Sequence, residues 1–116
     1  MGKLDSYLRV RRRRWQLTQG ELAFLLGYDS GSVVSRFERR ERTIPLAIGF
    51  ACELIFDADA EEIFPGLYGE VEGHVTRRMH ELQDRLQRGA SSAKTAAKLQ
   101  LLDHALTGAA NGADRQ

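Results

Sequence analysis

The run Thr18-Gln19-Gly20-Glu21, followed by the glycine at position 27, marks the most constrained stretch of this chain. A Thr three residues ahead of a Glu is a capping box. The hydroxyl accepts from the Glu21 amide, and the Glu21 carboxylate reaches back to the cap amide. Gly27 then adopts at little steric cost the left-handed backbone that ends a helix. Between these limits Leu22, Leu25 and Leu26 form one apolar stripe. Tyr28-Asp29-Ser30-Gly31 is a turn rich in capping residues, and beyond it Val34 and Phe37, three apart, face one way along another helix. Ser32, Ser35, Arg36 and Arg39 fall at i, i+3, i+4 and i+7 of that helix, so they share its outward side. The sequence therefore specifies two short helices joined by a tight glycine-containing turn, the second with a polar outer stripe.

The flanking segments are helical as well. Leu4, Leu8, Arg11 and Trp15 recur at helical spacing and predict a first helix over residues 3–15, with a partly polar inner stripe and Trp15 as a packing residue. Pro45 suits the start of a fourth helix carrying Leu46, Ile48, Phe50, Leu54 and Ile55, so apolar that a central position is expected. Asp59-Ala60-Glu61-Glu62 repeats the pattern of a cap followed by an acid for a short fifth helix, which Pro65-Gly66 breaks. Val71, Val75, Met79, Leu82 and Leu86 form the apolar line of an amphipathic sixth helix reaching Arg88. Ser91 or Ser92 caps a seventh with Ala96, Leu99, Leu102 and Leu106 on one face. Gly108 to Gln116 reads as a disordered tail. No strand-like alternation occurs, so the expected class is all-α, with a domain over 1–68, a helical extension over 69–107 and a tail over 108–116.

Composition narrows the function. With 116 residues, 42% apolar and 28% charged, the chain builds one core with an appendage. The net charge of +1 hides an asymmetry: residues 1–43 hold ten Lys/Arg against five Asp/Glu, residues 44–70 hold six acids and no base, and residues 71–116 hold seven bases and five acids. A basic half followed by an acidic segment suits a protein that turns one face toward phosphates. Cys52 is the single cysteine; within an apolar stretch it reads as a buried, inert thiol. His74, His80 and His104 are not spaced as a helical metal pair, and no metal site or cofactor is expected. No apolar run approaches the ~20 residues of a membrane span, and residues Met1 to Asp5 lack a signal-like apolar region, so a cytoplasmic protein is expected. Phosphate-binding glycine loops, nucleophile elbows and paired-carboxylate motifs are missing, which argues against an enzyme.

The segments Leu17-Thr18-Gln19-Gly20-Glu21-Leu22-Ala23 and Val34-Ser35-Arg36-Phe37-Glu38-Arg39, with Pro45 and Ile63-Phe64 in order behind them, resemble the Cro/repressor-type (XRE-like) helix-turn-helix family over about residues 4–67. The resemblance implies a five-helix lambda-repressor-like DNA-binding domain followed by one or two C-terminal helices. It implies that Gly31, Ser32, Ser35 and Arg36 lie nearest base edges, with Arg36 offering a bidentate pair to guanine. Thr18, Gln19, Arg39, Arg40, Arg42 and Thr43 would meet phosphate, and Arg12 would pair with Glu38 to hold two helices together. The chain departs from the family pattern in its longer turn at Tyr28–Gly31, in Arg40 where glycine is common, and in Arg11 where an apolar residue is usual.

Two functions fit these readings. One is a sequence-specific transcriptional regulator that binds double-stranded DNA as a homodimer, with Val71, Val75, Met79, Leu82 and Leu86 either pairing subunits or folding back on the domain. The other is an antitoxin-like interaction module whose C-terminal helices bind a partner protein. In the run Arg11 to Arg14, successive residues sweep round the helix axis, so all four cannot face one ligand.

Overall fold

Thr18 begins the second helix as its side chain requires: Oγ1 accepts from the Glu21 amide at 3.0 Å, and the Thr18 amide donates to Glu21 Oε1 at 2.8 Å. Gly27, at φ 89°, closes that helix. A computed structural model describes residues 5–113, and among them the chain is helical with no strand. The elements are α1 (Leu8–Arg14), α2 (Gln19–Leu26), α3 (Ser32–Glu38), α4 (Leu46–Phe56), α5 (Ala60–Ile63), α6 (Pro65–Arg88) and α7 (Ala93–Ala113). The chain divides after Tyr68 into two units.

In the first unit α2 packs against both α3 and α4, and α4 against α5. The core is built from Leu8 of α1, Leu22, Ala23 and Leu26 of α2, Val33, Val34 and Phe37 of α3, Ile48, Cys52 and Phe56 of α4, and Ile63-Phe64. Burial of a Leu, Val, Ile or Phe side chain contributes about 1.5–3 kcal/mol, so this cluster holds helices that are individually too short to persist. The Cys52 thiol is fully buried, and loss of solvation pushes its pKa up to about 11, which keeps it protonated near neutral pH.

Several expectations are corrected. The first helix starts at Leu8; Asp5 to Tyr7 instead run alongside the end of the unit, Tyr7 donating its amide to Ile63 O (2.7 Å) and Gly66 donating to Asp5 O (2.8 Å). Gly66 is needed at this crossing because a Cβ there would lie 2.8 Å from Asp5 Cβ. Leu8 and Arg12, four apart, make the inward line of α1, whereas Trp15 is 66% exposed. The helix ends at Arg14 and the backbone reverses at Gln16 (φ 62°), carrying Trp15 off the core. On α2 the small Ala23 turns inward and Leu25 stays half-exposed. Nor is α4 central on all sides, since Leu46, Phe50 and Leu54 face outward.

At the start of α5 the amide of Ala60 bonds to Glu53 Oε2 of α4 (2.8 Å), and Asp59 makes no side-chain cap bond. Pro65 opens α6 rather than ending α5; proline suits a first turn, where its missing N–H has no partner to lose.

Most of α6 lies in the second unit. No residue of α6 is buried: Val71, Val75 and Leu82 are exposed and Met79 and Leu86 half-buried. Ser92 caps α7, its Oγ accepting from the Thr95 amide at 3.1 Å. On α7 Leu102 is buried, Leu99 and Leu106 are half-buried, and Ala96 is exposed. The helix continues through Gly108 to Ala113, where the sequence suggests a disordered tail; positions 114–116 of that tail, and Leu4, lie outside the described residues. No described helix is long and apolar enough to cross a membrane.

Two leucines three apart on α2 separate burial from composition. Leu22→Ala is expected to cost about 2–5 kcal/mol, and Leu25→Ala no more than about 0.5 kcal/mol. Equilibrium urea unfolding measures both, and equal losses would contradict the assigned orientation of α2.

Candidate nucleic-acid interface

The polar side of α3 is held outward by what lies behind it. Val33, Val34 and Phe37 are buried, which fixes the rotation of α3 about its axis and leaves Ser32, Arg36 and Arg39 exposed and Ser35 half-buried. Among the described residues nothing bonds to or pairs with the Arg36 side chain. Its guanidinium therefore keeps a full set of donors for an external acceptor. Arg39 reaches Glu41 at 3.3 Å and its own helix at Ser35 O (3.4 Å). Both partners are more than half exposed, so the pair is weak.

The N-terminus of α3 lies directly against that of α2. A Cβ added to Gly31 would stand 2.9 Å from the Gly20 amide nitrogen and 3.1 Å from the Gln19 carbonyl carbon. Backbone atoms cannot yield as a flexible side chain would. Position 31, which the resemblance puts at a base edge, thus carries a packing requirement that only glycine meets. Ser30 adds a local tie, its Oγ accepting from the Ser32 amide at 3.2 Å.

Arg12, Gln19 and Glu38 join three helices. Arg12 Nε donates to Glu38 Oε2 at 2.7 Å and Nη2 to Oε1 at 3.3 Å, while Nη1 donates to Leu17 O at 2.8 Å. Gln19 Nε2 donates to the same Glu38 Oε1 at 3.1 Å. The Arg12 and Glu38 side chains are 10% and 3% exposed. The acid on α3 is thereby neutralised inside the protein. Gln19, which the resemblance assigns to phosphate, spends one amide proton on this network and keeps the other.

The remaining expected phosphate contacts differ in how free they are. Thr18 and Thr43 are exposed. The Thr18 oxygen accepts from Glu21, which leaves its proton to donate elsewhere. Arg40 adopts a left-handed backbone (φ 59°) and pairs with Asp5 at 3.1 Å, so its charge is partly spent within the unit. Arg42 lies over two rings, 5.6 Å from the Tyr28 centroid and 5.5 Å from that of Phe37, which themselves meet edge to face at 6.0 Å. A cation on aromatic faces gains about 0.5–1 kcal/mol at exposed sites and is held in one region of space.

Within the run Arg11 to Arg14, Arg12 turns inward, Arg11 reaches Glu62 at 3.6 Å, and Arg13 and Arg14 remain exposed. Sequence reasoning overlooked Tyr28, Asp5 and the bond from Gln19 to Glu38. Turn residues have no periodicity to betray their partners, and no helical spacing links 28 with 42 or 5 with 40. The described residues contain no His, Cys, Asp and Glu group able to hold a metal ion. Comparison with protein-family models, with curated proteins and with solved structures found no match.

Removing one member of the buried pair strands the other. Glu38→Ala is expected to destabilise by about 3–5 kcal/mol, whereas replacing Arg12 and Glu38 together by apolar residues of similar volume restores most of that loss. Chemical denaturation of the single and double variants decides it, and a double variant as unstable as the single one would argue against a desolvated ion pair.

Proposed function

We propose that this protein is a sequence-specific DNA-binding transcriptional regulator, its first unit a five-helix lambda-repressor-like domain of the Cro/repressor type that lays α3 in the major groove. The observation that carries the reading is the exposed, unpartnered Arg36 on a helix whose opposite side is locked into the core. A guanidinium so placed offers two parallel N–H groups to O6 and N7 of guanine. Ser32 and Ser35 flank it on the same side and supply hydroxyls that adapt to either donor or acceptor. Arg39, Arg42 and Thr43 follow as phosphate contacts, which set register rather than sequence. The Thr18 hydroxyl and the dipole at the start of α2 favour a second phosphate. The function is binding without a catalytic step, and it uses no cofactor.

A module of this size reads few base pairs, so two copies on a near-palindromic site are expected, with half-sites ~10 bp apart. The exposed line Val71, Val75 and Leu82, with half-buried Met79 and Leu86, supports pairing of subunits through α6. The same line supports a second reading, an antitoxin-like module that clasps a partner protein there and binds DNA to regulate its own expression. A stoichiometric second protein co-purifying from the native host would favour that alternative.

Binding-site selection on random duplexes, followed by fluorescence anisotropy over a salt series, tests the principal reading. Affinity for the selected site is expected to fall steeply with salt and to exceed that for random duplex. Arg36→Ala should reduce discrimination by about 1–3 kcal/mol while leaving the weaker, nonspecific binding in place. Binding that ignores both salt and sequence would refute the assignment.

A further inference from the structure

Helix α4 leaves one side uncovered. Leu46, Phe50 and Leu54 recur every four residues and are 73%, 55% and 85% exposed, while Ile48, Cys52 and Phe56 are buried. At 1.5 Å per residue the stripe is about 12 Å long. Its spacing is the same read in either direction from Phe50. A second copy laid antiparallel therefore sets Leu46 against Leu54, Phe50 against Phe50 and Leu54 against Leu46. That is the self-complementarity a two-fold contact requires.

Charge selects the antiparallel arrangement. The first turn of α4 has neither an acid nor a side-chain cap, and the last turn has no base. The acids stand at the opposite end, where Asp57 is the C-cap and Asp59, Glu61 and Glu62 follow. Asp57 at the C-cap opposes the dipole of α4, which favours anions at the N-terminus and cations at the C-terminus, whereas Asp59, Glu61 and Glu62 stand at the start of α5. Arg39, Arg40 and Arg42 precede α4, and residues 44–70 contain no Lys or Arg. An antiparallel neighbour brings the acidic end of one α4 to the uncapped start of the other, where Arg42 follows Arg39 and Arg40, themselves already paired with Glu41 and Asp5, whereas a parallel neighbour stacks acid on acid. Glu53, the one charge inside the helix, is engaged with the Ala60 amide at 2.8 Å.

We propose that the α4 stripe is a self-association surface whose occupant is the same stripe of a second copy, antiparallel and centred on Phe50. Its residues are other than those of the α6 line. Three side chains per copy fall short of the ~800 Å² that each partner buries in a standard interface, so the contact is weak and joins chains that are already paired or held close. The inference does not rest on DNA binding and is tested without DNA, so it fails or stands apart from the proposed function.

The full chain is made as three separate variants, Leu46→Cys, Leu54→Cys and Phe50→Cys, and oxidised. The buried Cys52 thiol does not compete. Phe50→Cys is expected to link to itself, and an equimolar mixture of the other two to give the 46-to-54 disulfide as the main product by mass spectrometry. Sedimentation of Phe50→Glu, with circular dichroism to verify the fold, should show self-association weakened by more than about tenfold, equivalent to about 1.4 kcal/mol. Linkage of Leu46→Cys chiefly to itself, a mixture without the 46-to-54 product, or unchanged sedimentation of Phe50→Glu would each overturn the proposal.

Discussion

The bond between Arg12 and Glu38 is the constraint on which the first unit turns. Each charge alone would be costly away from water, and each is tolerable only because the other meets it through two hydrogen bonds, with Leu17 O and Gln19 supplying the rest. An apolar pair of equal volume would tolerate many small rotations of α3 against α1 and α2. The forked guanidinium and the carboxylate tolerate few. What the pair contributes is registration. It lies at the last residue of α3 and so fixes the direction in which Arg36 and Arg39 leave the domain.

Two other devices act with it on the same helix. Gly31 lets the start of α3 approach the backbone of Gln19 and Gly20, and Val34 anchors its middle in the core, joined by Phe37, whose ring also carries Arg42. Start, middle and end of a seven-residue helix are each held by a different kind of force: steric closeness, apolar burial and a desolvated ion pair. A helix this short has little stability of its own, so its rigidity is borrowed from these contacts. Preorganisation of this kind reduces the ordering cost that a binding surface incurs when it meets a ligand.

Local signals were legible in the sequence where a single residue type has one job. The capping box at Thr18 and Glu21, the left-handed Gly27 and the inward Val34 and Phe37 follow from side-chain chemistry and spacing. The pairing of Arg12 with Glu38 came from family resemblance and has no periodic signature. Faces were read less well. Apolarity alone placed α4 at the centre and Trp15 and Leu25 in the packing, yet a small domain has too few elements to cover every apolar side chain. For Trp15 this depends on where α1 stops and how Gln16 turns, which is a tertiary outcome. Likewise the α5 cap came from Glu53, a neighbour in space, although Asp59 stood at the expected place in the chain.

The division of labour on α3 has a mutational consequence. Ser32 and Arg36 contribute little to the cohesion of the fold, while Gly31, Phe37 and Glu38 each satisfy a demand that few other residues meet. Substitutions at the outward positions therefore carry almost no thermodynamic penalty, whereas those at the inward positions are costly. Single substitutions at the outward positions change the surface that the helix presents without first refolding the domain.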